Sequence, residues 1–250
     1  MRYYDAENAG LVEDIPAYRL LAERFGDPVL EIGVGTGRVA VALAEYGLRV
    51  TGVEPSEAML ERAREHAQAS RAAANLTLHQ ASMLDFTLEG RFRLAIVPYG
   101  AFQHILTQEE QLAALRRIAA HLEPGAGLVI DQGNPLGAML ADDLPVMTLE
   151  RTFPDPETGD TVMQQSLKTF DRPTQIETIT WVYDRMDAEG RIYRQISRME
   201  LRHTLAPEMR LLLALSGFHD VEFYGGYDFT PYEEDSPRLF VVAARGEAGL

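Results

Sequence analysis

The chain has 250 residues, 46% of them hydrophobic. That is long and apolar enough for one large domain, or one domain plus an elaboration, and excludes a disordered chain. Its 38 acidic residues outnumber 23 basic ones, a formal net charge of -15, which repels nucleic-acid phosphates and anionic membranes. There is no cysteine, so disulfides, thiolate zinc sites and a cysteine nucleophile are excluded.

The polar start, MRYYDAENAG, is not a signal peptide, and no apolar run approaches the ~18 residues of a membrane span. A cytoplasmic protein with no membrane or nucleic-acid partner is expected. Pro16 suits the first turn of a helix running to Phe25. Val29 to Ile32 is a short buried strand of the parallel type. A helix follows from Arg38 to Tyr46, stopped by Gly47, and then a second strand, Leu48 to Val53. Ser56 caps a helix carrying Met59, Leu60 and Ala63, and the alanine-rich residues 67–74 form its frayed end. Leu76–His79 and Phe92–Val97 are the next strands, the latter entering the turn Pro98-Tyr99-Gly100. Thr107 and Glu110 make a capping box for a helix with Leu112, Leu115, Ile118 and Leu122 on one face. Pro124-Gly125 breaks it before a fifth strand, Gly127–Asp131. Strand and helix alternating in this way predict a doubly wound, mostly parallel α/β sheet, Rossmann-like and seven-stranded once the last two strands are added.

The rhythm changes near Gln132. Met147–Phe153, Thr161–Phe170, Gln175–Arg185 and Arg191–Arg202 read as an antiparallel meander separated by turn clusters. Helix and strand then return: Pro207–Ser216, Val221–Tyr224 and Leu239–Ala244, the two strands suiting an antiparallel pair at the sheet edge. The expected division is 1–145 with 203–250 as the main domain, and 146–202 as an inserted antiparallel β lid. Trp181, Tyr183, Tyr193, Arg151, Arg185 and Arg194 either shape an acceptor pocket or cover the insert's own core or a subunit interface, the second reading being favoured for most. A homodimer would use such an interface. Tyr227, Tyr232 and Arg238 belong to a long loop at the rim.

The informative stretch is Glu31-Ile32-Gly33-Val34-Gly35-Thr36-Gly37. Glycines between strand and helix let a ligand touch backbone directly. A dinucleotide fingerprint spaces them G-x-G-x-x-G; here they run G-x-G-x-G, with Glu31 two positions ahead. A pyrophosphate has no use for that carboxylate, whereas a ligand with a positive amino group has. Glu54 ends the second strand, where a carboxylate accepts both ribose hydroxyls of an adenosine.

VLEIGVGTGR and VTGVEPSEAML resemble the first two motifs of the class I S-adenosylmethionine-dependent methyltransferases, closely over 29–131 and in outline beyond. The resemblance implies S-adenosylmethionine as cofactor, held by Glu31, Gly33, Gly35, Gly37, Glu54, Pro55, Met59, Ser82, Met83 and Tyr99. Ser82 stands where relatives carry an aspartate for the adenine amino group, so the Ser82 hydroxyl, backbone or a neighbouring side chain must serve. Arg93 likewise replaces a common aspartate. No Asn/Asp-Pro-Pro-Tyr follows the fourth strand, which further lowers the prospect of a nucleic-acid substrate.

The stretch ending His104-Ile105, with Tyr4-Asp5 near the N-terminus, is similar to the bacterial sugar N-methyltransferases and their small-molecule relatives. By that resemblance His104 and Tyr4 are the catalytic candidates, orienting the acceptor atom; a neutral imidazole could also take its proton. The plainer alternatives are a helix-flanking histidine bonded to backbone and a packing tyrosine. The other histidines read as structural or solvated, without metal spacing. The function expected is methyl transfer to N or O of a small-molecule acceptor by in-line displacement. The alternatives are a non-catalytic S-adenosylmethionine-binding or dimerising protein and an NAD-dependent oxidoreductase.

Overall fold

The computed structural model describes residues 3–8, 10–140 and 145–246. They form two compact units, Val12–Pro135 with Thr204–Leu250, and Met1–Leu11 with Leu136–His203.

The larger unit is built on β1 (Val29–Ile32), β2 (Val50–Glu54), β3 (Leu76–Gln80), β4 (Phe92–Val97), β5 (Leu122–Gly133), β10 (Phe218–Tyr224) and β11 (Arg238–Arg245). Their order is β10-β11-β5-β4-β1-β2-β3. Only β11 runs against its neighbours, antiparallel to both β5 and β10. The last two strands therefore do form an antiparallel pair at one side of the sheet, with β10 outermost.

Successive residues of the central strands face opposite ways. Leu30, Ile32, Ala95, Val97, Leu128 and Ile130 join Leu115 and Ile118 of α5 (Gln108–His121) and Met209 and Leu213 of α7 (Ala206–Leu215) in one buried cluster. Val29, Leu94, Ile96 and Val129 join Tyr18 and Leu21 of α2 (Ile15–Phe25), Val39 and Leu43 of α3 (Arg38–Glu45) and Leu60 of α4 (Glu57–Ala69) in the other. Both faces of the sheet are covered, which is why these strands read as unbroken apolar runs. Both expected caps are present. The Ser56 Oγ accepts from the Met59 N–H, and the Thr107 Oγ1 from the Glu110 N–H while donating to that glutamate's Oε2.

Element ends differ from expectation most in three places. Pro124-Gly125 lies within β5, where a register shift against β4 absorbs it. The frayed end of α4 resolves into a helix to Ala69 and a separate 3-10 turn, Ala72–Ala74. β10 begins three residues early, at Phe218, across an irregularity between His219 and Glu222.

The smaller unit is a four-stranded antiparallel sheet, β6 (Met147–Pro154), β7 (Thr161–Asp171), β8 (Ile176–Met186) and β9 (Ile192–Arg202), in that order. The short helix α1 (Tyr4–Asn8) belongs with it, and α6 (Pro135–Leu140) carries the chain toward it. Tyr3 is the reason the first residues group here and not with the main domain. Its buried ring packs on Phe153 and Tyr183, at 5.5 and 5.1 Å between centroids, and its hydroxyl donates to Asp155 Oδ2 at 3.1 Å. The division thus differs from 1–145 and 146–202: residues 1–11 leave the main domain, and the insert runs from 136 to 203.

Most of the insert's aromatic and arginine side chains are spent inside this unit. Trp181 Nε1 donates to Met199 Sδ, Arg194 makes a two-pronged bond to Asp184, Arg185 pairs with Asp160, and Arg151 donates to the Glu7 carbonyl. Met147, Leu149, Ile192 and Ile196 remain exposed.

Candidate active site

A parallel sheet presents chemistry at the carboxyl ends of its strands, and the cofactor candidates fall there. The turn after β1 holds Gly33, Gly35 and Gly37 at φ of 73, 55 and 86°, the left-handed region that favours glycine. Two of them also have no room for a side chain. A Cβ on Gly33 would lie 2.7 Å from the Ala101 Cβ, and one on Gly37 3.1 Å from the Ala63 Cβ. The turn is therefore pressed against the loop after β4 on one side and α4 on the other.

Glu54, at the end of β2, is joined directly to that turn. Its Oε2 accepts from the Gly35 N–H and its Oε1 from the Ser56 N–H, both at 3.1 Å. Each carboxylate oxygen has a second lone pair, so the group can still accept two ribose hydroxyls. Pro55 comes next, exposed, and its carbonyl accepts from Gln80 Nε2. Met59 is half-buried one turn into α4.

Glu31 is only 2% exposed, and its Oε2 has no hydrogen-bond partner. Burial drives its pKa well above the ordinary carboxylate value, a shift that Arg38 opposes and Asp14 adds to. Arg38 does not quench it, because both Nη atoms are engaged at 2.6 Å by the buried Asp14. A buried, orphaned acid beside a glycine turn fits a ligand that brings its own ammonium donor, and S-adenosylmethionine carries one on its methionine portion.

Ser82 and Met83 open the turn after β3. Ser82 Oγ accepts from the Leu84 N–H and its own N–H donates to Asp85 Oδ1 at 2.8 Å. Met83 packs on the core. Asp85 is the side chain that sequence reasoning passed over: it returns a carboxylate to the turn three residues after the expected position. Its signal was an acid within SMLDF.

The loop after β4 carries the acceptor-side candidates. Tyr99 is 42% exposed and has a left-handed backbone, φ 48°, a conformation costing about 1–3 kcal/mol in a non-glycine residue. Asp131, on β5 and fully buried, holds it. The Oδ2 accepts from the Tyr99 N–H at 3.0 Å, the Tyr227 hydroxyl at 3.0 Å and the Tyr18 hydroxyl at 3.4 Å, while the Oδ1 takes Arg238 Nε at 2.5 Å. Burial first, and the Asp131 charge second, push both phenols up, so they remain protonated donors. The guanidinium carbons of Arg38 and Arg238 lie 5.8 and 5.3 Å from the Tyr99 ring centroid, within cation–π range. Asp131 had been legible only as the end of a strand, and Tyr227 and Arg238 only as rim residues.

His104 closes the 3-10 turn Ala101–His104. The buried Gln111 fixes the neighbouring Ile105, donating to its carbonyl and to Thr204 Oγ1. The imidazole has no hydrogen-bond partner among the described residues, so the backbone-bonded alternative does not describe it. Crowding by protein atoms lowers its pKa through desolvation; by surface area the residue is exposed, which limits that effect. His66, His121, His203 and His219 are each hydrogen-bonded to nearby groups. Tyr4 lies in the other unit, in α1, where Asn8 Nδ2 donates to its carbonyl. A cavity of about 450 Å³ between Pro28, Arg49 and Phe92 opens at the amino-terminal ends of the strands, away from these groups. Among the described residues no acid–histidine cluster has metal-site geometry, and no helix is long and apolar enough to cross a membrane.

Residues 29–125 match a family model described as a methyltransferase domain. The cypemycin N-terminal methyltransferase of a Streptomyces species is 29% identical over 248 residues, covering 95% of this chain and 89% of that protein. The CcbJ methyltransferase of Streptomyces caelestis is 28% identical with a TM-score of 0.79, covering 96% of this chain and 92% of the other. The sugar N-methyltransferase KedS8 of a Streptoalloteichus species is 25% identical with a TM-score of 0.72, over 97% and 91%. With the strand order and the glycine turn, these likenesses mark residues 29–125 as a methyltransferase domain and the chain as an S-adenosylmethionine-dependent methyltransferase, similar to the class I enzymes.

Proposed function

We propose that this methyltransferase acts on nitrogen, methylating an amine carried by a small molecule, with His104 at the acceptor. The observation that carries this reading is the His104 imidazole: unpartnered among the described residues, exposed, and biased toward its neutral form on the loop after β4. A neutral imidazole is a competent base for an ammonium or a methylated amine and a weak one for an alcohol. Two relatives, an N-terminal methyltransferase and a sugar N-methyltransferase by name, agree with nitrogen.

Bound S-adenosylmethionine supplies a methyl group made electrophilic by its sulfonium. The protein supplies placement. Glu31 and the turn at Gly33, Gly35 and Gly37 hold the amino-acid end, Glu54 with Pro55 and Met59 the ribose side, and Ser82, Met83 and Asp85 the adenine. Tyr99, clamped by Asp131, walls the site beside the reacting group, and Tyr4 keeps the acceptor-orienting role that the resemblance gives it. Alignment of the reacting atoms can contribute ~7–11 kcal/mol; a positioned base adds about 10²–10⁴-fold.

The test is turnover against paired amines and alcohols of the same skeleton, with the cofactor's dissociation constant measured in parallel. Amines should be methylated and their alcohol counterparts not. His104→Ala should lower kcat by about 10²-fold with cofactor affinity kept. Full activity in that variant removes His104 from the site, and preferential methylation of the alcohols overturns the nitrogen assignment.

A further inference from the structure

Two consecutive residues of β5, Asp131 and Gln132, are polar and fully buried. Their side chains face opposite sides of the sheet, and both lead to the loop after β4. On one side Asp131 holds the loop's entry. Its carbonyl accepts the Gly100 N–H at 2.7 Å and its Oδ2 the Tyr99 N–H at 3.0 Å. On the other side Gln132 Nε2 donates to the Thr204 carbonyl at 2.8 Å. The Thr204 Oγ1 meets the Gln111 amide, 2.9 Å from its Nε2 and 3.2 Å from its Oε1. Gln111 Nε2 then donates to the Ile105 carbonyl at 3.2 Å. Ile105 follows His104 directly and marks the loop's exit. Between the two ends, Phe102 is fully buried in the cluster that holds Leu115 and Ile118. The loop is thus pinned at its entry, middle and exit, with Tyr99 and His104 left exposed.

The exit is the demanding end. A 3-10 turn of four residues leaves its last carbonyls without backbone donors. The Ile105 N–H closes the turn on the Phe102 carbonyl at 3.2 Å, and a side chain meets the buried Ile105 carbonyl. Gln111 shares its face of α5 with the apolar Leu115 and Ile118, where a leucine would pack equally well. Instead Gln111, Gln132 and Thr204 are each fully buried, and Gln132 Oε1 is left with no partner among the described residues. Such a network stabilises less than an apolar filling would, but it specifies one arrangement of what it bonds. What it bonds is the backbone next to His104.

We propose that Gln111, oriented by Thr204 and Gln132, is the positioning residue for His104. It touches no substrate and acts through the Ile105 carbonyl. With that carbonyl fixed, the turn keeps the imidazole at one place beyond the carboxyl end of β4. This rests on the reading of His104 as the group at the acceptor, and it names what holds that group in place. A misplacement on the order of 1 Å near the chemistry can lower a rate about 10²-fold.

The test is a double-mutant cycle in the full-length protein: Gln111→Met, His104→Ala and the two combined. Methionine keeps about the same volume and removes both amide donors. Kinetics use a methyl aminodeoxyglycoside and alanyl-alanine amide, and the dissociation constant of S-adenosylhomocysteine is measured alongside. Gln111→Met should lower kcat about tenfold with cofactor affinity kept. In the His104→Ala background it should lower kcat less than about twofold, because the residue it acts through is gone. Thr204→Val, nearly isosteric, should act in the same direction, about threefold, and serves where Gln111→Met does not fold. A second measurement needs no substrate. The His104 imidazole, assigned by its loss in His104→Ala, is titrated by NMR. Desolvation holds its pKa below the ordinary histidine value, and in Gln111→Met it should rise toward that value as the turn loosens. Equal losses of kcat in both backgrounds, unaltered kcat in Gln111→Met, or an unmoved imidazole titration would each overturn the inference and leave Gln111 as core packing. Full activity in His104→Ala would instead overturn the reading on which it rests, and the inference with it.

Discussion

Glu31 and Asp131 are two acids in equivalent places, with opposite surroundings. Each sits near the carboxyl end of a parallel strand, each points to the sheet face covered by α2 and α3, and each is at most 2% exposed. Asp131 collects four donors, three on one oxygen and Arg238 on the other. Glu31 keeps an oxygen with none. Burial alone does not make an acid functional; the count of donors the protein itself provides separates a ligand's partner from a piece of scaffold. Asp131 is saturated, so its work is done within the protein: it holds Tyr99 in a strained backbone and neutralises Arg238. Glu31 is unfinished, which is why we propose that its partner is a molecule that brings a donor.

The largest expected effect comes from saturation. Asp131→Ala leaves the half-buried Arg238 without its counter-charge and releases three other donors, which should cost about 3–5 kcal/mol of unfolding free energy, read from urea denaturation. Released from the Asp131 acceptor, the Tyr99 backbone should also relax from φ 48°, and turnover should fall with it. A cost under about 1 kcal/mol, the scale of one ordinary hydrogen bond, would mean that Asp131 is not scaffold and would collapse the contrast with Glu31.

Glu31→Gln should give the opposite pattern. Its folded pKa is raised by burial, so the native protein holds the proton more tightly than the unfolded chain does. The acid is then tolerated at low pH, and it destabilises increasingly as pH climbs from the ordinary glutamate range through the raised folded value. The glutamine variant should therefore be more stable than the parent in the absence of ligand, by about 1–3 kcal/mol at neutral pH, with the gain shrinking toward about pH 4, the ordinary glutamate range. Its S-adenosylmethionine affinity should fall about 10–100-fold, or about 1.4–2.8 kcal/mol. Unfolding followed at about pH 4, in the ordinary glutamate range, and about pH 8, with calorimetry of the cofactor, checks both signs. A destabilised apo variant would make Glu31 a second Asp131.

The same contrast marks how far the site could be read from residues alone. The glycine turn was legible because its requirements are local: three left-handed positions within five residues, an acid two before them, and a carboxylate one strand later. Tertiary contacts deepen those requirements, as at Gly33 against Ala101, without altering them. The Asp131 cluster was not legible, because Tyr18, Tyr227 and Arg238 reach it from 113, 96 and 107 positions away, and nothing in their own neighbourhoods marks them. The grouping of the first residues with the insert turns on Tyr3 meeting Asp155 across 152 positions, a contact no spacing rule encodes. In the larger sheet, by contrast, apolar runs placed the buried strands, although β5 starts five residues before the expected Gly127, and in the smaller unit the turn clusters placed β6 and β9, whose side chains are mostly exposed.

Asp85 provides an intermediate case between the two acids. It is exposed, and its Oδ1 accepts one donor, the Ser82 N–H, leaving further lone pairs for the adenine amino group. If affinity tracks the acceptors that the protein leaves unmet, Asp85→Asn should weaken S-adenosylmethionine by about 0.5–1.5 kcal/mol, less than Glu31→Gln because water already serves the exposed group. Ser82→Ala should weaken it less again, since the Ser82 Oγ is already engaged by the Leu84 N–H. Calorimetry of the two variants side by side decides which replaces the missing aspartate. A larger loss in Ser82→Ala than in Asp85→Asn would show that the hydroxyl, despite its backbone contact, is the adenine's partner. It would also show that donor counting fails where the group is in water, because there the solvent supplies what the protein leaves unmet.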